Sequence, residues 1–255
     1  MEQILDNPDA ALIVERCRQT IAEMAELAGG LAHELRNPLS TIMINLRLLA
    51  EDLQDGRPDA DDVRRRALLK VETLRREAER LQNLFDEFLA LASPPRLQNR
   101  LVDLNGVVKH LVEFFEPLAH SKGIEIQVHV DKSPLTCSAD ERLLSQALLN
   151  IAVNAQEAMP DGGILRIELA HDGKIATVSV SDTGVGISGD DGQRIFQPFY
   201  STKAGGTGLG LSITRRIIRE HGGELSFESE LGRGSTFRIS LPLVDARPGP
   251  AESTG

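Results

Sequence analysis

Apolar side chains recur every three or four residues along the first part of the chain, a spacing that predicts amphipathic helices. In the first helix this stripe comprises Ile21, Met24, Ala28, Leu31, Leu35, Ile42, Leu46 and Leu49. It resumes at Ala67, Val71, Leu74, Ala78, Leu81, Phe85 and Phe88, after a polar turn cluster at Gln54–Asp59. The pattern therefore predicts two long helices that form an antiparallel hairpin.

Two helices alone cannot bury an apolar stripe of this length. Pairing with the hairpin of a second chain buries it, so we predict a homodimer built around a four-helix bundle. The alternative is that the stripe packs against a second domain of the same chain.

The periodicity changes beyond Ser93-Pro94-Pro95, which ends the second helix and begins a stiff linker over 94–99. The later pattern predicts helices at 105–120, 140–159 and 209–221 and strands at 124–130, 164–170, 175–181, 224–229 and 235–241. Asp103 or Asn105 and then Asp140 are expected N-caps, with an Asp-Gly hairpin turn at 171–174 and a left-handed cap at Gly222-Gly223.

The predicted fold class is therefore a helical hairpin followed by an α/β sandwich, with helices on one face of a mostly antiparallel sheet. We divide the chain into a helical lead-in at 1–20, the hairpin domain at 21–93, the linker at 94–99, the α/β domain at 100–244 and a disordered Pro/Gly-rich tail at 245–255.

The composition of the chain argues against several classes of function. A net charge of −10 argues against general nucleic-acid binding. No apolar run approaches the length of a membrane span, and no signal sequence opens the chain. The two cysteines, Cys17 and Cys137, match no disulfide or metal-binding spacing. These features predict a cytoplasmic protein.

Two glycine-rich segments are candidates for nucleotide binding. Ser181–Ile187 follows a strand, where Asp182 is placed to accept a hydrogen bond from an adenine amino group and Gly184 and Gly186 let the backbone approach a ligand. The segment 205–211 opens a helix whose first N–H groups suit phosphate oxygens. Neither is a P-loop or a dinucleotide fingerprint, and each taken alone fits a plain tight turn.

A third element lies between the first two strands of the sheet pattern. Asn150 and Asn154 share one face of a helix that is otherwise suited to burial. Buried asparagines need polar partners, and Mg²⁺ with phosphate groups would supply them.

His33 lies midway along the first helix, between the stripe positions Leu31 and Leu35, so its ring should face solvent. A lone helical histidine is usually structural or merely exposed. Its neighbours exclude the zinc-protease pattern, because no second histidine follows at the required spacing. Pro38 should bend the helix just beyond His33 and change access to it.

Taken in order, these motifs resemble those of bacterial two-component sensor histidine kinases. The resemblance covers roughly residues 20–244, and the Tyr200–Lys203 stretch looks like that of the nitrogen-regulation kinases. Its segments are 31–39 around the histidine, 150–155 around the asparagines, 182–186 and 206–210 for the glycine loops, 195–203 around two phenylalanines, and 232–237.

The resemblance implies a Bergerat-type ATP site. Asn154 would ligate Mg²⁺, with Asn150 in support. Asp182 would accept a hydrogen bond from adenine, and Thr236 would assist through a bridging water. Residues 196–208 would form a mobile lid, although Phe196 and Phe199 fit plain packing equally well. The nucleotide contacts would also include Gly184, Gly186, Lys203, Gly206, Thr207, Gly208, Leu209 and Gly210.

The implied activity is ATP-dependent phosphorylation of His33, followed by transfer to an aspartate of a response-regulator receiver domain. Glu34 would hydrogen-bond the opposite ring nitrogen or take its proton. Asn37 would place a water for phosphatase activity toward that regulator, whereas Arg36 fits a solvated charge. About twenty residues precede the catalytic helix, too few for a sensor domain, so we expect an upstream sensor protein or a longer chain.

Two rival functions remain open at this stage. Gyrase-type or mismatch-repair-type ATPases share the ATP fold but place a glutamate general base where this chain has Asn150, which cannot accept a proton at neutral pH. A non-enzymatic scaffold that binds nucleotide is the other rival, and the presence of all the motifs argues against it.

Overall fold

The computed structural model describes residues 8–54, 60–92, 97–130, 133–203 and 206–244. The chain divides into two compact units, one comprising Met1–Pro94 with Lys203–Leu209 and the other Pro95–Thr202 with Gly210–Gly255. The predicted turn at 55–59, the linker residues 93–96 and the tail at 245–255 lie outside the described residues.

The first unit contains the predicted helical hairpin, with α1 at Pro8–Gln54 and α2 at Ala60–Ala92. Lys70 on α2 ties the helices together near their connection, because its Nζ donates to the Leu48 carbonyl (2.8 Å) and to the Asp52 carboxylate. Leu84 is 3% exposed, yet many large apolar side chains of the hairpin remain exposed. The hairpin therefore buries little of its own stripe.

The second unit is the predicted α/β sandwich. Its elements are β1 (Arg100–Asp103), α3 (Leu104–Ser121), β2 (Ile124–His129), β3 (Thr136–Ala139), α4 (Glu141–Ala158), β4 (Gly163–His171), β5 (Ile175–Asp182), α5 (Gly189–Gly192), α6 (Gly210–Glu220), β6 (Glu224–Glu230) and β7 (Gly234–Pro242). A five-stranded sheet runs in the order β2-β4-β5-β7-β6, in which β2 and β4 are parallel and the other pairs antiparallel. The mostly antiparallel sheet is as predicted.

Side-chain alternation explains how the sheet forms its core. Alternate positions of β5 and β7 are buried, among them Val178, Val180, Phe237 and Ile239, and the intervening positions are half-buried or exposed. The buried faces of α3 and α4 supply Phe115, Leu144 and Leu148. Such a two-layer arrangement gives this unit a continuous apolar core of its own.

The predicted caps and turns are confirmed. Asp103 accepts from the Asn105 N–H at the start of α3, and Asp140 accepts from the Leu143 N–H at the start of α4. Asp172 accepts from two backbone N–H groups in the β4–β5 turn, and these bonds lower the pKa of its carboxyl. Gly222 has φ +70° after α6, as a left-handed cap requires.

The sequence pattern did not predict three short elements. β1 and β3 form a separate two-stranded sheet, and α5 is a single turn capped by Ser188. Among the described residues, no helix combines the length and the apolar character that crossing a membrane requires.

Candidate functional site

The histidine of the hairpin is open to solvent, as its position between two stripe residues predicts. The His33 side chain is 71% exposed, and its Nδ1 lies 3.4 Å from Oε1 of Glu34, whose side chain is 21% exposed. A carboxylate beside Nδ1 favours the tautomer that carries its proton there. The outer nitrogen, Nε2, then keeps its lone pair and is free to act as a nucleophile.

The turn that follows His33 has unusual backbone bonding. Pro38 is buried inside α1 and has no N–H to donate to the carbonyl of Glu34. Ser40 and Thr41 then donate their hydroxyls to the carbonyls of Arg36 and Asn37, at 2.8 and 3.2 Å. Bonds of this kind compete with helical hydrogen bonds, so α1 is locally weakened next to its histidine. The predicted bend itself stays a prediction.

The first glycine loop of the second unit follows directly from β5. Asp182 is 7% exposed, and its Oδ1 accepts from the Gly184 N–H at 2.8 Å. A Cβ on Gly184 would lie 2.4 Å from the Ala158 carbonyl oxygen, and Gly186 has φ +71°. These two positions therefore require glycine, and they bring the loop backbone close to the end of α4.

The paired asparagines lie on the half-buried part of α4. Asn150 Nδ2 is 3.3 Å from the Gly210 carbonyl and 3.4 Å from Thr214 Oγ1 on α6. The Thr214 hydroxyl gives its own proton to the Gly210 carbonyl, so both neighbours act as acceptors toward Asn150. The amide of Asn150 must therefore turn its nitrogen to α6, which leaves Oδ1 for another partner.

The predicted role of Thr236 does not agree with its place in the sheet. Thr236 Oγ1 donates to Ser181 Oγ at 2.9 Å, on the face opposite to the buried Asp182. Ser235, which is 6% exposed, lies on the Asp182 face instead. The expectation that Thr236 assists Asp182 is thus corrected by strand alternation, which puts neighbouring residues on opposite faces.

The predicted lid residues are divided between the two units. Residues 196–202 belong to the α/β unit, whereas Lys203–Leu209, with Gly206, Thr207 and Gly208, group with the hairpin. Gly210 begins α6 of the α/β unit. Gly205 lies outside the described residues. Phe196 packs edge-on against Phe227 with ring centroids 5.7 Å apart. Phe196 is thus a packing anchor, one of the two interpretations that the sequence left open.

His221 ends the helix predicted at 209–221 and belongs to none of the predicted site motifs, yet the structure shows that it links two helices. Its Nδ1 lies 2.7 Å from the Ile217 carbonyl, and its Nε2 accepts from the Asp140 N–H at 2.9 Å. His221 is 6% exposed. It thereby joins the end of α6 to the start of α4, while Asn150 joins the start of α6 to the middle of α4. No local signal predicts a contact across 81 positions.

Two family models match successive parts of the chain. Residues 23–95 match the His Kinase A (phospho-acceptor) domain, and residues 139–245 match the histidine kinase-, DNA gyrase B-, and HSP90-like ATPase. The chain belongs to the sensor histidine kinase family. The resemblance to the nitrogen-regulation subgroup stays a prediction.

Individual relatives agree with the family assignment. Sensor histidine kinase ZraS of Escherichia coli (strain K12) is 34% identical over 233 residues, which is 91% of this chain and 48% of ZraS. Full-length ShkA in complex with AMPPNP is 32% identical with a TM-score of 0.62, covering 88% of this chain and 47% of ShkA. The chain spans about half the length of the curated relatives that it matches.

One solved structure that matches nearly the whole chain is a complex. Histidine kinase ThkA with the response regulator protein TrrA is 26% identical with a TM-score of 0.73, and the match covers 94% of this chain and 68% of ThkA. The helical hairpin followed by an α/β ATPase fold is therefore an arrangement found in this family.

Proposed function

We propose that the protein is an ATP-dependent histidine kinase that phosphorylates itself on His33. The observation that carries this proposal is the exposed imidazole beside Glu34, in a hairpin linked on one chain to an ATPase fold. Nε2 attacks the γ-phosphorus of ATP, an N–P bond forms, and the bond between that phosphorus and the bridging oxygen of ADP breaks. The Nδ1 proton stays on the ring, and the Glu34 carboxylate stabilises the positive charge.

The nucleotide would bind along the Asp182–Gly186 loop and α4. Asp182 accepts from the adenine amino group, and on the Asp182 face Ser235 replaces Thr236 as the assisting hydroxyl. The AMPPNP in the ShkA complex supports a nucleotide of this class. Lys203 and the backbone of 206–210 would contact the phosphates.

The asparagines of α4 fit a magnesium ion. The amide orientation of Asn150 turns an oxygen away from α6, and Asn154 lies one turn further along the same face. Amide oxygens are ligands that Mg²⁺ accepts alongside phosphate oxygens and water. We assign Asn154 as the ligand and Asn150 as its support; the bound ion would neutralise the charge that develops on the transferred phosphoryl group.

The hairpin supports a homodimer. Leu39, Leu46 and Leu53 on α1 are spaced by seven residues and are 49%, 47% and 68% exposed. On α2, Val71 and Phe85 are each 50% exposed and lie fourteen residues apart, with Ala78 midway. Exposed apolar positions at heptad spacing are typical of helices that pack against a second pair, as in a four-helix bundle.

The phosphoryl group would then pass from His33 to an aspartate of a response-regulator receiver domain. The ThkA–TrrA complex supports a partner of this kind. Asn37 is exposed one turn beyond His33, where its amide could hold the water that attacks a phosphoaspartate. We therefore propose a second, phosphatase activity that depends on Asn37, and a signal that reaches the chain from an upstream sensor.

Labelling the protein with Mg²⁺ and [γ-³²P]ATP tests the proposal. We expect label that is lost in acid, is stable in base, and disappears in His33→Gln. His110→Gln is a matched control, because His110 is 69% exposed and its Nδ1 lies 3.9 Å from Glu141. Label that persists in His33→Gln would contradict the assignment. ATP hydrolysis without protein labelling would favour a gyrase-type ATPase.

A further inference from the structure

We propose that Ser229 is a positioning residue of the nucleotide site, which holds the 183–187 loop in its binding conformation. The inference rests on the proposed ATP site and adds a residue that no motif of the sequence analysis includes. Ser229 lies on β6, an edge strand, on the same covered side as Phe227.

The Ser229 hydroxyl joins three segments of the chain. Its Oγ accepts from the Ile187 N–H at 2.8 Å and donates to the Gly234 carbonyl at 2.9 Å. Ser235 Oγ lies 3.0 Å away. Because the only proton of Ser229 is given to Gly234, Ser235 is the donor between the two hydroxyls. Ser229 thus uses its full hydrogen-bonding capacity to connect the loop, β6 and β7.

The start of the loop is held by two side chains, because the Asp182 carboxylate accepts from the Gly184 N–H and Thr183 Oγ1 accepts from the Ile164 N–H. Its middle has two supports that use the backbone alone. Val185 N–H donates to the Ala158 carbonyl at 3.0 Å, and the Gly232 N–H donates to the Val185 carbonyl at 2.7 Å. Both bonds can form whatever the side chain at Val185 is. The bond at Ile187 depends on a side chain from another strand, so Ser229 is the position at which a substitution changes how firmly the loop end is held.

Loss of the Ser229–Ile187 hydrogen bond should change the affinity for nucleotide rather than the phosphoryl-transfer step. Asp182 and Gly184 stand at one end of this loop and Ile187 at the other, so an Ile187 N–H without an acceptor would favour other loop conformations. Nucleotide binding would then have to restore the fixed loop. Loss of a residue that acts in this way raises the KM for ATP and leaves the turnover of bound ATP nearly unchanged.

The test compares Ser229→Ala with Ser240→Ala in the full chain. Ser240 is a matched control, because its Oγ lies 3.3 Å from Thr177 Oγ1 in another cross-strand hydroxyl pair of the same sheet. We expect Ser229→Ala to raise the KM for ATP and the Kd for ADP about fivefold to thirtyfold, the range for leaving the Ile187 N–H without its acceptor. The maximal rate of labelling should change less than twofold, and Ser229→Thr should restore the affinity.

Other outcomes separate this inference from the proposed function. If wild type binds ADP and Ser229→Ala binds it equally well, the positioning role is wrong while the ATP site stands. If wild type itself binds no nucleotide, the proposed function fails. Thermal unfolding of each variant shows whether Ser229→Ala still folds. If Ser229→Ala does not fold, the test uses Ser229→Thr, which keeps the hydroxyl. Unchanged nucleotide binding by folded Ser229→Thr supports the positioning role, and weak binding overturns it.

Discussion

The two units bury their apolar side chains in different ways. In the α/β unit, large side chains such as Leu148, Leu165 and Ile239 are completely buried within a single chain. In the hairpin, Leu84 is buried, whereas Met43, Leu53 and Leu68 are 67%, 68% and 60% exposed. The α/β unit has its own core, whereas the hairpin leaves many of its large apolar side chains exposed.

Because of this difference, the stability of the two units should depend on protein concentration in different ways. The α/β unit should unfold with a free energy that does not depend on protein concentration. If the hairpin pairs with a second copy as we propose, its stability should rise with protein concentration, because association stabilises the folded state. The proposed nucleotide site and His33 therefore lie in units that should depend on different factors for their stability.

The largest effect is expected from a substitution that creates a cavity in the core of the α/β unit. Leu165→Ala on β4 should lower the free energy of unfolding by about 2–5 kcal/mol, because Leu165 is completely buried and its neighbours can fill the space only in part. Denaturant titration at two protein concentrations measures the loss, which should be the same at both. Leu101→Ala, at a position 71% exposed in the same unit, should change little. An equal loss in both variants would argue against the described core.

The next effect concerns the buried thiol of the α/β unit. Burial raises the pKa of Cys137 to about 11, so only about a thousandth of the native thiol ionises at pH 8. In the unfolded chain, with a pKa near 8.5, about a quarter ionises. Alkylation of the Cys137 peptide by iodoacetamide, followed by mass spectrometry, should therefore be more than a hundredfold slower in native protein. Equal rates would mean that the core opens readily.

A smaller effect should appear at the exposed stripe. Leu46→Glu should weaken dimer formation at least tenfold, because each dimer would bury two charges without partners. Sedimentation across a concentration series measures the equilibrium. Arg47→Glu changes a side chain that is 83% exposed and belongs to the polar surface, so it should leave the dimer intact. A dimer that tolerates Leu46→Glu would mean that the stripe packs elsewhere.

The smallest effect should come from the link between α4 and α6. Thr214→Val removes the hydroxyl that accepts from Asn150 and keeps the shape of the side chain. The Gly210 carbonyl remains as an acceptor, so the affinity for Mg²⁺-ATP should fall only about threefold. Calorimetry with Mg²⁺-ADP measures the change, and Thr177→Val is the control. A tenfold loss would show that the Gly210 contact alone does not orient Asn150.

The sequence predicted the elements that have a marked two-faced pattern. β5 and β7 alternate over eight and nine residues, and the α1 and α2 stripes extend over many turns, so each could be read from spacing alone. β1, β3 and α5 have four residues each, which is too short for a periodic signal. Their formation depends on partners elsewhere in the chain.

The candidate site was predictable in part. The exposure of His33 follows from its place between Leu31 and Leu35, and the requirement for glycine at Gly186 follows from a tight loop. Thr236 was misplaced although the alternation of Phe237, Ile239 and Leu241 already assigns Ser235 to the buried face. The hydrogen bonds of Ser229 and His221 depend on residues that only the folded sheet brings near, so no spacing in the sequence reveals them.

The most direct test of the account locates the phosphate itself. Wild-type protein incubated with Mg²⁺-ATP is digested at neutral to alkaline pH, and the peptides are sequenced by electron-transfer fragmentation, which preserves the phosphorus–nitrogen bond. We expect one phosphate per labelled peptide, on His33, and none on the peptide of the matched His110. Phosphate on another residue, or an unmodified His33 while ATP is consumed, would contradict the central claim.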